Sequence, residues 1–207
     1  MKALPSPPLL VISDRAQSKR PLVEIVDAVF RAGCRWFSLR EKDLPAGERR
    51  DLLRTLVVLG HRHGAAVIVH EDIEGAIATG ADGVHLPGGG DPASLRRLLP
   101  SGVIGVSAHS PQEAAAQLAR GADYATLSPI FLTRSKPGYG PAIGLDALAA
   151  AAVLASGPIV ALGGIDEGNI AACLAAGARG IAVMGEIMRA ADPEAATRRL
   201  LALLRPR

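Results

Sequence analysis

"ARGADYATL", residues 119–127, ends a helix-like segment, turns at a glycine and continues as a β-type run. The same passage occurs in "RAGCRWFSL" (31–39), "ATGADGVHL" (78–86) and "AAGARGIAV" (175–183). Its glycine suits a left-handed helix cap, where a residue without a side chain has the lowest steric cost. The recurrence of one helix-to-strand passage predicts a chain in which helices and strands alternate throughout.

Short apolar runs and helical patterns alternate along the whole sequence. Strands are predicted at 9–13, 36–40, 66–70, 83–86, 103–109, 124–130, 158–164 and 180–184. Helices are predicted at 21–32, 46–62, 73–79, 92–99, 111–120, 144–156, 167–176 and 193–204. Strands that are apolar along their whole length are typical of parallel sheets covered by helices. Without an interrupting linker, these units predict an α/β fold, a single (βα)8 TIM barrel that forms one domain over residues 1–207.

Composition narrows the class of protein. Of the 207 residues, 49% are hydrophobic, and the formal net charge is +3, which is typical of a globular chain. No apolar run approaches the roughly 18 residues of a membrane span, and "MKALPSPPLLVISD" at the start lacks the features of a signal peptide. We therefore expect a soluble, cytoplasmic protein with no membrane partner. The arginines are scattered along the chain, which argues against a nucleic-acid partner. The sequence leaves the oligomeric state open, so a homo-oligomer is compatible with it.

The barrel prediction locates the functional residues, because active sites of such barrels lie at the C-terminal ends of the strands. Arg40 and Lys42 follow the second predicted strand, while Thr133, Ser135 and Lys136 follow the sixth. Hydroxyl groups and cations at this density are typical of a site for phosphate or diphosphate. A solvated surface position is the competing interpretation for each of the two lysines.

A second anion site is predicted from glycines. Gly163 and Gly164 follow the seventh strand, and Met184 and Gly185 follow the eighth. In TIM barrels these two loops commonly bind phosphate through backbone N–H groups, and glycine lets the anion approach the backbone. We predict a monophosphate site here, although an ordinary turn would use the same glycines. Glu186 is an unfavourable neighbour for an anion unless it turns to solvent.

The histidines His70, His85 and His109 end consecutive predicted strands. A zinc site could use them, but no carboxylate motif completes a hydrolase, and "GVHL" is typical of a buried core histidine at His85. A single general acid or base is the simpler hypothesis. His109, beside Ser107, is best placed for it because imidazole titrates near neutral pH. The alternative for His109 is a cap on the helix that begins at Pro111. Cys34 and Cys173 lack metal-ligand spacing and are expected to be buried free thiols.

Six motifs, taken in their order and spacing, resemble the thiamine phosphate synthase and TenI superfamily over nearly the whole chain: "FSLREKD", "ADGVHL", "GVSAHS", "ADYATLSPIFLTRSK", "ALGGI" and "GIAVM". The resemblance implies one of two activities. Synthases join hydroxymethylpyrimidine diphosphate to a thiazole phosphate and release diphosphate with the help of Mg²⁺. TenI-type proteins keep the barrel and the thiazole phosphate site, and they aromatise a thiazole tautomer by proton transfer without a metal.

The resemblance also implies roles for individual residues. The Arg-x-Lys of strand two corresponds to diphosphate ligands, the strand-six loop to the synthase T-x-T-K loop, and the S-x-H segment to one whose histidine resembles the TenI proton-transfer residue. The predicted catalytic residues are Ser107, His109 and Lys136. The predicted substrate- and phosphate-binding residues are Arg40, Lys42, His70, Thr133, Ser135, Gly163, Gly164, Met184 and Gly185.

The chain departs from the synthase pattern at the metal site. Synthases usually carry an Asn-Asp pair after strand three and H-x-G-Q-x-D after strand four, and each Asp binds Mg²⁺. Here His70 and Glu71 replace the pair, and Asp91 lies one residue beyond the second metal position, which is Gly90. Glu71 and Asp91 are therefore Mg²⁺ ligands only if the chain is a synthase. Ser38, where synthases commonly have Gln, puts the pyrimidine pocket in doubt.

These departures favour a TenI-like thiazole tautomerase that needs no cofactor. In this hypothesis Gly164 and Gly185 hold the thiazole phosphate while His109 moves a ring proton. One alternative is a Mg²⁺-dependent thiamine phosphate synthase, and a second is a non-catalytic protein that binds thiazole phosphate or thiamine phosphate. In every case the partner is a small phosphorylated heterocycle.

Overall fold

A computed structural model describes residues 2–133 and 140–204 of the chain. The strands are parallel, each pairs with the next along the chain, and β8 pairs with β1 to close the barrel. They are β1 Leu9–Ile12, β2 Trp36–Leu39, β3 Ala66–His70, β4 Gly83–Leu86, β5 Val103–Ala108, β6 Tyr124–Leu127, β7 Ile159–Leu162 and β8 Gly180–Val183. The predicted (βα)8 TIM barrel is thereby confirmed. That residues 1–207 form one domain stays a prediction, since it extends beyond the described residues.

The helices alternate with the strands, as predicted. They are α1 Leu22–Arg31, α2 Ala46–Arg62, α3 Ile73–Thr79, α4 Pro92–Leu98, α5 Pro111–Ala119, α6 Gly144–Leu154, α7 Ile170–Ala175, α8 Gly185–Met188 and α9 Pro193–Leu203. Two elements were not predicted: α8, and a 3-10 turn at Arg15–Gln17 after β1. With four residues, α8 is too short to show a helical period in the sequence.

Strands β6 and β7 end earlier than the sequence predicted, at Leu127 and Leu162. After β7 the backbone leaves strand geometry, because Gly163 and Gly164 have φ angles of +96° and +64°. The residues that the prediction added to these strands therefore belong to loops at the C-terminal mouth of the barrel.

The repeated glycine passage has a clear physical role at the opposite end of the barrel. All of its glycines have positive φ angles, between 69° and 106°, which confirms the predicted helix caps: Gly33, Gly80, Gly121 and Gly177. In two of the copies an aspartate follows two residues later. The Asp82 carboxylate accepts the N–H of Val67 at 2.8 Å, and the Asp123 carboxylate accepts the N–H of Ile104 at 2.9 Å. Each bond ties the start of one strand to the strand before it and so fixes their register.

Side chains cap several helices at the mouth. The N-cap residues whose side chain accepts the backbone N–H three residues on are Asp72, Asp91, Ser110 and Asp192. Such a cap typically stabilises a helix by about 1 kcal/mol. Three of these helices also begin with a proline, which fits the first helical position because it needs no N–H donor there.

Both faces of the strands are buried, as expected for a parallel sheet. A larger apolar core lies between the strands and the helices, and a smaller one fills the barrel interior, formed by Leu10, Ile12, Trp36, Ile68, Tyr124, Val160 and Ala182. Inside the barrel the rings of Trp36 and Tyr124 pack edge to face, with their centroids 4.7 Å apart. Cys34 and Cys173 are free and buried, as predicted. Among the described helices, none is long and apolar enough to cross a bilayer.

The barrel interior predicts an unequal effect of two identical substitutions. In Gly105→Ala the new methyl group would overlap the buried ring of Tyr124, whereas at Gly47, near the start of α2, nothing lies within 4 Å of it. We expect Gly105→Ala to lower the free energy of unfolding by about 1–3 kcal/mol, the usual cost of overpacking. Gly47→Ala should leave it unchanged or raise it by up to about 1 kcal/mol. Urea unfolding of both variants measures the difference, and equal stabilities would contradict the packing described here.

Candidate active site

A cavity of about 460 Å³ opens at the C-terminal mouth of the barrel. Its size lies in the range of small-molecule binding sites. Every strand or the loop after it contributes to the lining, which includes Ile12, Arg40, Lys42, His70, Glu71, His85, Pro87, Gly88, Ser107, His109, Ser128, Pro129, Leu132, Thr133, Leu162, Gly163, Gly164, Ile165, Asp166, Ala182, Val183, Met184, Gly185, Glu186 and Arg189.

Most of the predicted site residues line this one cavity. They are Arg40, Lys42, His70, Glu71, Ser107, His109, Thr133, Gly163, Gly164, Met184 and Gly185. Asp91 is not among the lining residues, and Ser135 and Lys136 lie outside the described residues.

The cations after β2 sit on a backbone that is held by buried polar groups. The N–H of Arg40 donates to Ser13 Oγ at 2.7 Å. Glu41, only 3% exposed, accepts the N–H of Arg15 at 3.1 Å and 3.3 Å through its two oxygens. Burial raises the pKa of Glu41, while the hydrogen bond from Ser13 opposes this effect. The loops after β1 and β2 are thus joined beneath the segment that presents Arg40 and Lys42.

Lys42 and Glu71 form an ion pair across the β2 and β3 loops, with 2.6 Å between Nζ and Oε1. Both side chains are about half exposed, so the pair adds little stability. Glu71 is also the one non-glycine residue within the described ranges 2–133 and 140–204 that has a positive φ, +63°. A left-handed backbone at such a residue costs of order 1–3 kcal/mol and is commonest at functional sites. An anion that enters the cavity would compete with Glu71 for Lys42.

Asp91 acts as a helix cap, a role that the sequence analysis did not predict. Its carboxylate caps α4, accepts the N–H and the hydroxyl of Ser94 at 3.3 Å and 2.5 Å, and pairs with Arg120 at 3.3 Å. The hydrogen bonds from Ser94 lower the pKa of Asp91. Within the described residues, no group of three or more His, Cys, Asp or Glu side chains is placed to hold a metal ion. Glu71 lines the cavity and Asp91 is not among its lining residues, and the conditional assignment of both to Mg²⁺ stays a prediction.

His85 forms a buried polar network under the cavity. Its Nδ1 lies 2.9 Å from the hydroxyl of Tyr124, and its Nε2 lies 3.0 Å from Ser107 Oγ. Its ring also packs on His70, with centroids 4.6 Å apart. Burial, helped by the charge of Arg40, lowers the pKa of His85 to about 3, so the imidazole is neutral. The interpretation of His85 as a core histidine holds, and the network fixes the position of Ser107 in the cavity.

His109 lines the cavity with a defined tautomer. Its Nδ1 lies 2.8 Å from the carbonyl oxygen of Ser128, which can only accept a hydrogen bond. In the neutral ring the proton is therefore on Nδ1 and the lone pair on Nε2. The helix that begins at Pro111 is capped by Ser110, which accepts the N–H of Glu113 at 3.2 Å. The capping role that competed with the catalytic hypothesis for His109 belongs to its neighbour.

The glycines after β7 are required by close packing as well as by their φ angles. A Cβ at Gly163 would lie 2.7 Å from the Cα of Pro129, and one at Gly164 would overlap the carbonyl oxygen of Leu132. The N–H of Phe131 donates to the carbonyl of Gly163 at 3.0 Å, so the β6 and β7 loops pack directly together. Backbone, with little side-chain cover, therefore faces the cavity at this end.

Sequence analysis missed several polar residues of the cavity, among them Asp166 and Arg189. Arg189 directly follows α8 and donates to Gln17 Oε1 on the 3-10 turn. Its position after the eighth strand could have drawn attention to it. Because the short helix α8 was not predicted, Arg189 was not expected to lie at the cavity.

A (βα)8 barrel whose mouth cavity is lined by cations and by glycine backbone is typical of enzymes that act on small phosphorylated molecules. Comparison with known proteins identifies the family. Residues 9–187 match the family model described as thiamine monophosphate synthase. The chain is 46% identical over 202 residues to a putative thiamine-phosphate synthase from Geobacter sulfurreducens, covering 96% of this chain and 95% of the relative. It is 40% identical to the thiamine-phosphate synthase of Roseiflexus sp., covering 94% and 84% of the two chains.

A solved structure agrees with these matches. The thiamine phosphate pyrophosphorylase from Pyrococcus furiosus superposes with a TM-score of 0.85 at 32% identity, covering 95% of this chain and 94% of that one. The chain belongs to the thiamine monophosphate synthase family, a family of enzymes in thiamine biosynthesis. The resemblance found in the sequence motifs is confirmed.

The buried histidine predicts a pH dependence of stability. In the folded protein the pKa of His85 is about 3, below its ordinary value of 6.5. As the pH falls through this interval the unfolded chain takes up a proton that the folded protein does not. The stability from His85 is therefore lost as the pH falls from 6.5 towards 3, by up to about 1.4 kcal/mol per pH unit. The unfolding free energy of the His85→Asn variant should change less steeply over this range.

Urea unfolding at several pH values tests this expectation. For each protein the change in the free energy of unfolding is taken relative to its own value at pH 8. The stability that the variant loses with its hydrogen bonds then cancels. Equal slopes for the two proteins would mean that His85 is protonated in the folded state.

Proposed function

We propose that the chain is a thiamine phosphate synthase, which joins hydroxymethylpyrimidine diphosphate to a thiazole phosphate. The names of the relatives support this activity over the tautomerase that the sequence analysis preferred. The observation that carries the proposal is a single cavity lined by two separate groups of candidate anion ligands. Arg40 and Lys42 follow β2, and the glycine backbone follows β7 and β8. A tautomerase has one phosphate to bind, whereas a synthase must hold a diphosphate and a monophosphate together.

The chemistry follows from this arrangement. The bond between the pyrimidine methylene carbon and the diphosphate oxygen breaks, and its electron pair leaves with the diphosphate. The lone pair of the thiazole nitrogen then forms the new C–N bond, which gives a thiazolium product. Arg40 and Lys42 stabilise the charge on the leaving diphosphate, because hydrogen bonds between ions are the strong ones. Release of Lys42 from Glu71 would accompany diphosphate binding.

The glycine backbone of the β7 and β8 loops holds the acceptor substrate. Backbone N–H groups near Gly163, Gly164 and Gly185 bind the phosphate of the thiazole and set the distance of its ring from the pyrimidine. Ser107, hydrogen-bonded to the neutral His85, offers a polar contact to a substrate that lies between the β2 cations and the glycine backbone. Restricting both substrates to one orientation supplies much of the rate gain in such a two-substrate reaction.

Glu71 is the candidate carboxylate for a divalent cation beside Lys42. Mg²⁺ commonly binds through one or two carboxylates together with substrate phosphates. Glu71 lines the cavity and fits this role, whereas Asp91 caps α4 and does not. When bound, Mg²⁺ would neutralise charge on the diphosphate.

A thiazole tautomerase remains the second candidate because of the geometry of His109. The hydrogen bond from Nδ1 to the Ser128 carbonyl orients the ring, and a neutral imidazole in this tautomer is a base at Nε2. In that case His109→Ala would abolish proton transfer on the thiazole, while thiazole phosphate would still bind.

The deciding experiment follows product formation from the two substrates. Purified protein with hydroxymethylpyrimidine diphosphate, thiazole phosphate and Mg²⁺ should form thiamine phosphate, and EDTA should suppress it. Glu71→Gln should raise the Mg²⁺ concentration needed for half-maximal rate, and Asp91→Asn, which keeps a good helix cap, should not. Product that is insensitive to EDTA would remove the metal from the proposal. Absence of product together with tautomerase turnover would favour the second candidate.

The diphosphate end gives a quantitative prediction. Arg40→Met keeps an unbranched apolar stem but removes the charged guanidinium group, so we expect thiamine phosphate formation to fall by about 10- to 100-fold, as for the loss of one strong ionic hydrogen bond. Arg54→Met is the matched control, since Arg54 lies on α2 and pairs with Asp51 outside the cavity. Steady-state rates with both substrates measure the effect. An unchanged rate in Arg40→Met would exclude Arg40 from diphosphate binding.

A further inference from the structure

We propose that Arg189 is a ligand for the phosphate of the thiazole substrate and that Gln17 positions it. The inference rests on the proposed function, because it assigns a new residue to the phosphate end of the same cavity. Neither residue belongs to the motifs on which the family resemblance was based.

The balance of charge around the cavity supports a role for Arg189. Among the described lining residues, the Lys and Arg side chains are Arg40, Lys42 and Arg189. The first two follow β2, so Arg189 is the cation that the β8 loop contributes. Two carboxylates, Asp166 after β7 and Glu186 after β8, line the same part of the cavity. A phosphate held by backbone N–H groups alone would face both negative charges, and a guanidinium group offsets them.

The chemistry of the side chain also fits the ligand. A guanidinium group is planar, keeps its charge at all physiological pH values, and presents paired N–H donors that match two phosphate oxygens. Arg189 is on the rim of the cavity, where it can meet the phosphate of a ligand whose ring lies deeper. A long side chain at the rim can also adjust to the phosphate without moving the barrel.

Gln17 is held in one orientation from both sides. Its Oε1 accepts a hydrogen bond from Arg189, and its Nε2 donates to Asp14 Oδ2 at 2.5 Å and contacts Met184 Sδ at 3.5 Å. A guanidinium group can only donate and a carboxylate can only accept, so the amide cannot be reversed. An amide oxygen orients the arginine without cancelling its charge, which a carboxylate at this position would do.

The 3-10 turn that carries Gln17 is itself anchored. The N–H of Arg15 donates to the buried carboxylate of Glu41, and the backbone of Gln17 donates to the carbonyl of Asp14 at 3.1 Å. The contact from Gln17 to Arg189 therefore starts from a fixed part of the fold. This is the arrangement expected of a positioning residue.

Calorimetry with two ligands tests the inference. Binding of thiazole phosphate and of the unphosphorylated thiazole alcohol is measured for the wild type, Arg189→Met and Gln17→Ala. We expect Arg189→Met to weaken thiazole phosphate binding by about 10- to 100-fold and to change alcohol binding by less than about threefold, because the lost contact is to phosphate. Gln17→Ala should give a smaller loss, again confined to the phosphorylated ligand. In the coupling reaction the KM for hydroxymethylpyrimidine diphosphate should not change.

Controls separate a phosphate contact from a structural one. Arg198→Met removes an exposed arginine of α9 that pairs with Glu194 and should leave both affinities unchanged. Arg189→Lys should recover part of the phosphate affinity, since it restores the charge but not the paired donors. Equal losses for both ligands, or no loss for either, would overturn the inference and leave Arg189 a link between the 3-10 turn and α8.

The result is distinguishable from failure of the proposed function. If the protein forms no thiamine phosphate but binds thiazole phosphate in an Arg189-dependent way, the synthase proposal fails and the inference stands. If the wild type does not bind thiazole phosphate, the affinity for inorganic phosphate is measured in the wild type and in Arg189→Met. Equal phosphate affinities in these two proteins would then overturn the inference as well.

Discussion

Closure of the barrel through the pairing of β1 with β8 is the constraint on which the rest of the structure depends. Leu9, Leu10 and Val11 pair with Ile181, Ala182 and Val183, and no sheet edge remains among the paired strands. The same pairing brings the turn after β1 beside the loop after β8. The contacts among Asp14, Gln17, Met184 and Arg189 exist because the first and last strands are neighbours. One side of the cavity therefore forms only when the whole barrel has formed.

A buried polar layer separates the apolar interior of the barrel from the cavity. Removing an imidazole from water is costly unless its nitrogen atoms find partners, and Tyr124 and Ser107 supply them for His85. Because the ring stays neutral, no buried charge has to be compensated. The floor of the cavity is thus polar, and its hydrogen bonds hold Ser107 in place.

The sequence predicted the architecture because its information on this point is local. Gly80 and Gly121 mark helix ends wherever they occur, and apolar runs mark strands that are covered on both faces. The order of the strands then placed Arg40, His109 and Gly164 at one mouth without any knowledge of their side-chain contacts. The family resemblance came from the same positions, since they carry the motifs.

What the sequence could not predict depends on partners that are distant along the chain. The ion pair between Asp91 and Arg120 joins residues 29 positions apart and was not predicted. The ion pair between Lys42 and Glu71 and the contact between Gln17 and Arg189 likewise join separate loops. No periodicity marks such pairs. The functional assignments of the site residues remain predictions, and among them Ser135 as a phosphate ligand and Lys136 as a catalytic residue lie outside the described residues.

The packing of the β6 and β7 loops has a consequence for how this protein can evolve. Backbone N–H groups of Ile130 and Phe131 bond to Leu162 and Gly163, and those of Ile143 and Gly144 bond back to Pro129 and Ile130. The chain therefore leaves and re-enters the barrel at nearly the same place through main-chain bonds that many sequences can make. Since the cost of closing a loop grows only slowly with its length, these main-chain anchors do not by themselves restrict how long the connection between β6 and α6 is. Its length and sequence can therefore change in evolution while the anchors and the barrel are retained.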